Sequence, residues 1–480
     1  MVRVSVDDSG PGACAKPADA VALPRYAGAP ASTFCRRRGF LARAGQVVAE
    51  PSGDGSVLLN VGLGAAGSAT PATFRAAAAA AVRAAGPART LRLDLALADG
   101  PVPPAERARA VTEGALLALY RYDTHRSRKP ARTLDELIVA VPQPEAAAAV
   151  REAQAVSDGT CLARDLVNAP PGELTPTLFA DRARQMAEEY GFSCTVHEGA
   201  ALAELGLAGL TAVGRGSREA AKYVEIDYAP EGAPAVPVVS LVGKGVTFDS
   251  GGLSLKQARE MHTMKSDMGG AAAVVGALAS LARLALPVRV RSHLPLTENM
   301  PDGAALRTGD VVRHLDGTTT EIVNTDNEGR LVLADVLVHA GRARPDLLID
   351  VATLTSAAAH ALGTRTGALF TNDEQLAETV LASADRTGEP LCRLPLAEDE
   401  RRHLHSATAD RANCSYRYGD TTQAALFLQD FVPTGLPWAH LDIAAPAHND
   451  EPSYREVPHG GTGFGVRTLV ETLRRVSGGE

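Results

Sequence analysis

The chain has 480 residues, a hydrophobic fraction of 45%, a charged fraction of 22% and a formal net charge of −8. This length predicts a sizeable core and two domains, and the composition is that of an ordinary soluble globular protein. The acidic balance counts against bulk electrostatic binding to nucleic acid, and no apolar run approaches the roughly 18–20 residues of a membrane span. We therefore expect neither a membrane nor nucleic acid as a partner.

The N-terminal third predicts an α/β domain. Its first 30 residues are rich in Gly, Ala, Pro and Asp and are expected to be partly disordered. Strands and helices are then predicted in alternation, at 57–61, 72–85, 91–95, 104–121 and 137–141. This β-α-β-α-β order is typical of a parallel sheet.

A predicted helix over 144–167 connects this part to a second alternating region. We place the domain boundary within that helix, which gives domains at 1–155 and 156–480. The second region predicts strands and helices at 236–242, 269–284, 287–293, 331–342 and 346–351.

The six cysteines lie far apart and include no CxxC pair. That pattern is typical of reduced thiols rather than of a disulfide framework or a zinc–sulfur site. The N-terminus lacks the apolar segment of a secretory signal. Both observations predict a cytoplasmic protein.

The segment Asn324–Leu331 has the most informative pattern in the chain, because it places two carboxylates two residues apart. On an extended strand, residues i and i+2 point to the same side, so Asp326 and Glu328 would converge. Two clustered anions are costly unless a cation lies between them. The segment therefore predicts a metal site whose other ligands lie elsewhere in the chain.

A second group of candidate ligands precedes this segment. Lys244 lies between two glycines, Asp249 comes just before Gly251-Gly252, and Asp267 comes just before Gly269-Gly270. Lysine is rare here, with six among 48 basic residues, yet Lys244, Lys256 and Lys265 fall within 22 positions. Lysine can act as a neutral amine, which arginine cannot do in proteins.

Each of these residues alone has a simpler explanation. Asp267 alone is more often a helix N-cap, Lys244 a surface lysine, and Asp326 with Glu328 a solvated strand end. A phosphate loop is disfavoured because no GxxxxGK[ST] pattern surrounds Lys244. Taken together, four carboxylates and an amine form an oxygen-rich set that can hold two divalent ions, as in aminopeptidases and phosphatases.

These residues carry a family resemblance. The chain resembles the leucyl aminopeptidases, the cytosol aminopeptidase family of dinuclear metallo-exopeptidases. Residues 324–331 match the family signature except for Asn327, which replaces alanine. The segments around Lys244–Gly252 and Met264–Ala272 also match, as do those at 298–301, 350–355, 440–444 and 461–467, so the resemblance covers about 160 to the C-terminus. It implies a smaller N-terminal α/β domain and a larger catalytic α/β domain with a mixed, mainly parallel central sheet flanked by helices.

The resemblance also implies roles for individual residues. The metal ligands would be Lys244, Asp249, Asp267, Asp326 and Glu328, holding two divalent ions, zinc or manganese. Lys256 would polarise the scissile carbonyl, and Arg330 would hold a bicarbonate ion that acts as general base. A water bridging the metals would hydrolyse the N-terminal peptide bond. Lys244 would have to be unprotonated, so its pKa would have to fall well below the ordinary value of about 10.4.

The remaining expectations concern substrate and assembly. The resemblance implies a substrate pocket formed by Met264, Asn324, Thr353, Leu354, Ser356, Ala444 and Ala447. Ser356 stands where the family usually has glycine, and Ala447 where a larger residue can occur, so leucine preference does not follow. The resemblance further implies short peptide substrates and a homohexamer.

Three other functions compete with that of a general aminopeptidase. The nearest is a specialised peptidase or amidase in a dedicated biosynthetic pathway, which the altered pocket positions leave open. A second is a DNA-binding role beside catalysis, against which the acidic charge counts. A third is a scaffold without activity, against which the intact set of site residues counts.

Overall fold

The protein is described by a computed structural model that covers residues 2–8, 16–129, 134–144, 146–230 and 236–478. The chain forms two compact units. The first comprises Met1–Asp158 together with Arg386–Gly388 and Glu451–His459, and the second comprises Gly159–Asp385, Glu389–Asp450 and Gly460–Glu480. The division predicted at 155 stays a prediction. None of the described helices combines the length and apolarity needed to cross a bilayer.

The first unit contains a six-stranded sheet. Its strands are β1 (Arg3–Asp7), β2 (Ala20–Tyr26), β3 (Val47–Pro51), β4 (Val57–Gly64), β5 (Thr90–Leu93) and β6 (Glu136–Ala140), in the order β1-β6-β5-β2-β4-β3. All neighbouring pairs are parallel except β3 with β4. Two of these strands, β1 and β2, lie within the first 30 residues, and the part of the expected disorder that falls on residues 9–15 lies outside the described residues.

Four helices belong to this part of the chain, and the last three are rich in alanine. They are α1 (Thr33–Arg37), α2 (Pro71–Ala84), α3 (Pro104–Ala118) and the long α4 (Ala146–Asn168), which continues into the second unit. The helices α2 and α3 pack closely, since a Cβ on Gly114 would lie 2.2 Å from the Arg75 carbonyl oxygen. Small side chains permit this approach and bury the apolar face against the sheet.

The second unit is built around a nine-stranded mixed sheet. The strand bounds are β7 Ser193–Glu198, β8 Lys222–Tyr228, β9 Val238–Gly243, β10 Gly245–Asp249, β11 Arg289–Asn299, β14 Leu347–Ala352, β15 Gly367–Thr371, β16 Leu391–Arg393 and β18 Trp438–Asp442. The strands run in the order β16-β15-β18-β14-β9-β11-β8-β7, and β10 pairs with β11. The pairs β9–β11, β9–β14, β14–β18, β15–β16 and β10–β11 are parallel, whereas β7–β8, β8–β11 and β15–β18 are antiparallel.

Helices lie on this sheet, and small ribbons complete the unit. The helices are α5 Pro176–Tyr190, α6 Ala200–Glu204, α7 Ala208–Gly214, α8 Ala258–Met261, α9 Gly269–Leu284, α10 Glu328–Arg342, α11 Ser356–Leu362, α12 Glu374–Thr387, α13 Asp420–Gln429 and α14 Val466–Val476. The ribbon strands are β12 Val311–Arg313, β13 Thr319–Glu321, β17 Arg411–Ala412, β19 His448–Asn449 and β20 Gly460–Gly461. The predicted two-domain α/β fold with a mixed, mainly parallel catalytic sheet is confirmed.

The prediction of an extended strand at Asp326 and Glu328 is wrong. The nearest strand, β13, ends at Glu321, and residues 325–326 form a turn before α10 begins at Glu328. The turn is stabilised by Asn324, whose Oδ1 accepts a hydrogen bond from the Asp326 amide at 2.8 Å. A short polar side chain that bonds the backbone two residues later favours a turn over a strand.

Candidate metal centre

The candidate ligands meet beside the carboxyl ends of the central parallel strands. Lys244 directly follows β9, and Asp249 is the last residue of β10. Asp267 lies just before α9, Asp326 lies in the turn before α10, and Glu328 is the first residue of α10. Ligands of open α/β sheets gather at this edge because the loops after parallel strands converge there.

Two lysine ammonium groups lie among these carboxylates. Lys244 Nζ lies 2.8 Å from Asp267 Oδ1 and 2.8 Å from Glu328 Oε1. Lys256 Nζ lies 2.8 Å from Asp249 Oδ2 and 2.6 Å from Asp326 Oδ1. All six side chains are buried or half-buried, and Lys244, Asp249 and Glu328 are each only 2% exposed.

The arrangement fits a pair of divalent ions. Asp249, Asp326 and Glu328 each offer a carboxylate oxygen within 4.8 Å of the others. Asp267 Oδ2, Asp326 Oδ1 and Glu328 Oε1 are buried and accept no well-aligned hydrogen bond from the described residues. The latter two have a lysine ammonium at ion-pair distance only. A buried carboxylate oxygen without a donor, such as Asp267 Oδ2, is costly, and cation coordination would remove that cost.

The charges of the site shift its pKa values strongly. Burial and the neighbouring charges of Asp249 and Glu328 raise the pKa of Asp326 to about 7. Burial alone would lower the pKa of Lys244, but the charges of Asp267 and Glu328 outweigh it and raise that pKa. The protein's own groups therefore hold Lys244 as a cation. The fall in its pKa that metal binding requires must come from the bound dications themselves, which repel the ammonium proton.

Glycines allow the close packing of the site. A Cβ on Gly329 would lie 2.6 Å from Lys244 Nζ, and a Cβ on Gly270 would lie 2.0 Å from the Val351 carbonyl oxygen. Gly270 meets backbone atoms, which cannot move aside, so this position needs glycine. A Cβ on Gly329 would instead push the Lys244 ammonium away from its present position beside Glu328.

Two buried asparagines support the site and were missed as functional residues by sequence reasoning. Asn299 Nδ2 donates to Asp249 Oδ1 at 2.8 Å and to the Thr325 carbonyl at 3.0 Å. Asn413 is 0% exposed, and its Oδ1 accepts from the Val323 amide at 2.8 Å. Asn299 belongs to a matched motif at 298–301, which was a usable signal, whereas no motif marks Asn413.

Asn413 holds the turn that carries the signature. Its Oδ1 also accepts from the Asn324 amide at 3.3 Å, and its Nδ2 donates to the Asn324 carbonyl at 2.7 Å and to the Asn327 carbonyl at 3.4 Å. Asn327 occupies the N-cap position of α10, and its side chain makes no capping hydrogen bond. The side-chain amide of Asn413 therefore makes the backbone hydrogen bonds that a neighbouring strand would otherwise make to residues 323–327.

Arg330 lies in the first turn of α10, and two partners outside that helix hold its guanidinium. It is 1% exposed, its Nη1 donates to the Asn413 carbonyl at 2.8 Å, and its Nη2 donates to Asp420 Oδ1 at 3.0 Å. Its Nε makes no hydrogen bond to the described residues. The guanidinium is thus a fixed positive charge with donor capacity remaining.

The predicted pocket residues lie on the loops around this centre. Thr353 Oγ1 donates to Asp267 Oδ1 at 2.8 Å, and a Cβ on Gly269 would contact both Thr353 and Ala447 at 3.2 Å. A Cβ on Gly329 would lie 3.0 Å from Leu354. Met264 and Ala444 are partly buried, Asn324 forms the turn described above, and Ser356 is exposed at the start of α11.

Asp442 joins two of these loops and was also missed as a functional residue. This 0% exposed carboxylate accepts from the amides of Leu354 at 3.2 Å and Ala444 at 3.1 Å, and from Thr355 Oγ1 at 2.6 Å. The loops after β14 and β18 are therefore fixed to one anion. The segment at 440–444 was part of the resemblance, but no role followed from it.

Comparison with known proteins identifies the family. Residues 161–470 match the catalytic domain of the cytosol aminopeptidase family, and residues 12–129 match the N-terminal domain of that family. A probable cytosol aminopeptidase of Syntrophotalea carbinolica is 41% identical over 450 residues, which are 91% of this chain and 90% of that protein. The chain therefore belongs to the cytosol aminopeptidase family, and it is a metal-dependent peptidase of the kind that uses two divalent ions.

One solved protein is considerably more similar. The bottromycin maturation enzyme BotP is 69% identical, with a TM-score of 0.91 over 96% of this chain and 100% of that chain. A second structure of BotP, in complex with Mn, is 68% identical, with a TM-score of 0.92 over the same shares. The sequence-based prediction of a metallo-aminopeptidase is confirmed.

Proposed function

We propose that this aminopeptidase is a maturation enzyme, which shortens a precursor peptide from its N-terminus within a dedicated biosynthetic pathway. The observation that carries the proposal is the 69% identity to a bottromycin maturation enzyme over nearly the whole of both chains. The 41% identity to a probable cytosol aminopeptidase is considerably lower. Ser356 and Ala447 support the same conclusion, because they alter the part of the pocket that would contact the first side chain of the substrate.

The proposal assigns the metal ligands residue by residue. One ion would be held by Lys244, Asp249, Asp267 and Glu328, and the other by Asp249, Asp326 and Glu328. The mutual distances of Asp249, Asp326 and Glu328, and the contacts of Lys244 with Asp267 and Glu328, support this set. Manganese is the proposed metal because BotP has been solved with Mn and because carboxylate oxygens suit that ion. When bound, two such ions supply Lewis acidity and activate water for attack on a peptide bond.

The two cationic side chains would complete the chemistry. Lys256 would place its ammonium where negative charge develops on the scissile carbonyl oxygen. With Asp249 and Asp326 neutralised by dications, that ammonium is released from its present ion pairs for this task. Arg330 would hold an anion such as bicarbonate as proton acceptor, since the four carboxylates nearest the proposed ions would all be used as ligands.

We also propose a homohexamer in the cytoplasm, acting on short peptides. The family resemblance supports the hexamer and the short substrates. The thiols support the location, because the five cysteines within the described residues are all in the reduced form that a cytoplasm maintains.

The test compares peptide turnover between substrates and variants. We expect a Mn-loaded enzyme to cleave a narrow set of N-terminal residues in synthetic peptides that resemble bottromycin-type precursors, and Xaa-amides poorly. Lys256→Ala should lower kcat about 10²–10³-fold, because a fixed charge facing the oxyanion is lost. Lys222→Ala, which removes another buried, ion-paired lysine, is the control and should retain activity.

Two outcomes would count against the proposal. Equal kcat/KM on a broad panel of Xaa-amides would refute the specialised substrate and leave a general aminopeptidase. Unchanged turnover of Lys256→Ala would instead refute the assigned role of that lysine.

A further inference from the structure

A second cluster of imidazoles and a carboxylate lies outside the metal centre. Glu225 on β8 pairs in register with His293 on β11, and His339 lies near the end of α10. Glu225 Oε1 lies 3.2 Å from His339 Nε2 and 3.6 Å from His293 Nδ1. On the other side, His197 Nε2 of β7 lies 2.9 Å from Glu225 Oε2. Three imidazoles from three elements thus surround one carboxylate.

The distances match the edges of a zinc coordination sphere. Glu225, His293 and His339 each offer a ligand atom within 4.8 Å of the others. Zinc bonds to imidazole nitrogen and carboxylate oxygen are about 2.0–2.2 Å long, so neighbouring ligands of a tetrahedral site lie about 3.3–3.5 Å apart. The separations of 3.2 and 3.6 Å require only small adjustments.

The cluster also has space and an unpaired group. It lines a cavity of about 250 Å³ that also contacts Arg291. His293 is 3% exposed, and its Nε2 makes no hydrogen bond to any described residue. The nearby Arg291 charge is balanced by Asp227, with Nε and Oδ1 3.7 Å apart.

A hydrogen-bonded network without a metal is the competing explanation. The Tyr223 hydroxyl lies 2.6 Å from His293 Nδ1 and 3.2 Å from Glu225 Oε1, so it bridges the two groups. Such a network uses Nδ1 of His293, which is also the nitrogen that faces Glu225, so a bound ion would take the place of the Tyr223 contact. Two imidazoles and a carboxylate, with a water as the fourth ligand, are a common zinc-binding set, and those three side chains converge here.

We propose that Glu225, His293 and His339 form a third metal site for a single zinc-class dication, separate from the dinuclear centre. His197 positions the carboxylate from the opposite oxygen, as partners of metal ligands commonly do. Since Glu328 and His339 are 11 residues apart on α10, the site lies about 16 Å along the helix from the dinuclear centre. The ion would anchor the end of α10 to β8 and β11, with a water as its fourth ligand.

The test counts metal ions in the full-length protein. After chelator treatment and equilibration with Zn²⁺, native mass spectrometry should give three ions per wild-type chain and two for His339→Gln. The half-buried position of His339 makes this variant the least disruptive. His403→Gln, which alters another histidine near a glutamate at 3.9 Å, is the matched control and should retain three ions. Glu225→Gln gives a second, independent variant with two ions expected.

Ion counts in further variants distinguish the third metal site from the dinuclear centre on which the proposed function depends. An Asp326→Asn/Glu328→Gln variant should lose the dinuclear ions and retain the third. Two ions in both the wild type and His339→Gln would overturn the third site, and three ions in both would place the extra ion elsewhere and overturn it as well. Neither outcome bears on the maturation activity, which is measured separately with Mn.

Discussion

At the scale of single residues, the site depends on groups that never contact a metal. Asn413 replaces strand pairing for the turn at Asn324–Asn327, and Asn299 fixes Asp249. Both act through hydrogen bonds to backbone or carboxylate, so each holds a ligand-bearing segment in one conformation. Positioning groups of this kind commonly change metal affinity when they are altered.

Substitution of Asn413→Ala should weaken metal binding and stability together. It leaves the half-buried amides of Val323 and Asn324 without their acceptor, at up to roughly 1–3 kcal/mol for each unsatisfied group. We expect a lower free energy of unfolding in urea and a Mn²⁺ dissociation constant raised by about 10–100-fold, measured by calorimetry. Asn372→Ala, which removes a backbone-bridging amide between Leu436 and Trp438, should leave Mn²⁺ affinity unchanged. Wild-type affinity in Asn413→Ala would contradict a positioning role for this amide.

At the scale of elements, helix α9 approaches the sheet more closely than any side chain permits. Its second residue, Gly270, lies against the Val351 carbonyl of β14, and the Ala271 amide donates to the Lys244 carbonyl at 2.8 Å. The start of the helix is therefore fixed directly beside Asp267. For alanine in place of Gly270, helix propensity predicts a higher free energy of unfolding, whereas packing predicts a lower one.

Gly270→Ala tests which of the two effects dominates. Propensity alone predicts stabilisation by about 1 kcal/mol, whereas overpacking against a backbone atom costs roughly 1–3 kcal/mol or more. With only 2.0 Å available, we expect clear destabilisation in urea unfolding and loss of Mn²⁺ affinity. Gly303→Ala, where a Cβ meets nothing within 4 Å, should stay within about 0.5 kcal/mol of wild type. A stabilised Gly270→Ala protein would show that α9 can move without cost.

The same elements show what the sequence could predict. Periodicity located α9 within its observed bounds and α10 within a few residues of its start, because long apolar patterns are strong local signals. The candidate ligands were found because they lie in short contiguous motifs. Asn413 and the three histidines could not be found in this way, since their partners are far away in sequence and meet only through the sheet order. The convergence of Asp326 and Glu328 was argued from a strand, but it arises from a turn and a helix start.

At the scale of the whole molecule, the proposed dinuclear ligands all belong to the second unit. That unit contains the buried acidic side chains Asp249, Asp267 and Glu328. Their mutual repulsion opposes folding until dications bind, and ligands that bind only the folded state stabilise it by mass action. Metal content and folding of this unit are therefore coupled.

Removal of metal should lower thermal stability in one unit only. A metal at 100 times its dissociation constant stabilises by about 2.7 kcal/mol, which corresponds to a shift of about 4 °C for each ion in a unit of this size. Calorimetry with chelator should therefore show a lower Tm for the transition of the second unit, restored by Mn²⁺, and an unchanged first unit. Repeating the scan on His339→Gln measures the contribution of the dinuclear ions to the Tm without that of the third site. The same Tm with and without chelator would contradict the coupling.

The first unit includes two short segments from late in the chain, Arg386–Gly388 and Glu451–His459, so it is not one continuous stretch of sequence. Arg75 is 2% exposed, its Nη2 donates to the Arg386 carbonyl at 3.1 Å, and its Nε lies 3.8 Å from Glu456 Oε1. Both partners belong to the first unit although they are encoded more than 300 positions later. A single cut near residue 158 would therefore strip a buried guanidinium of two of its partners. The first unit is encoded by three separate stretches of the gene. Recombination between relatives would therefore have to exchange all three together to transfer the first unit intact.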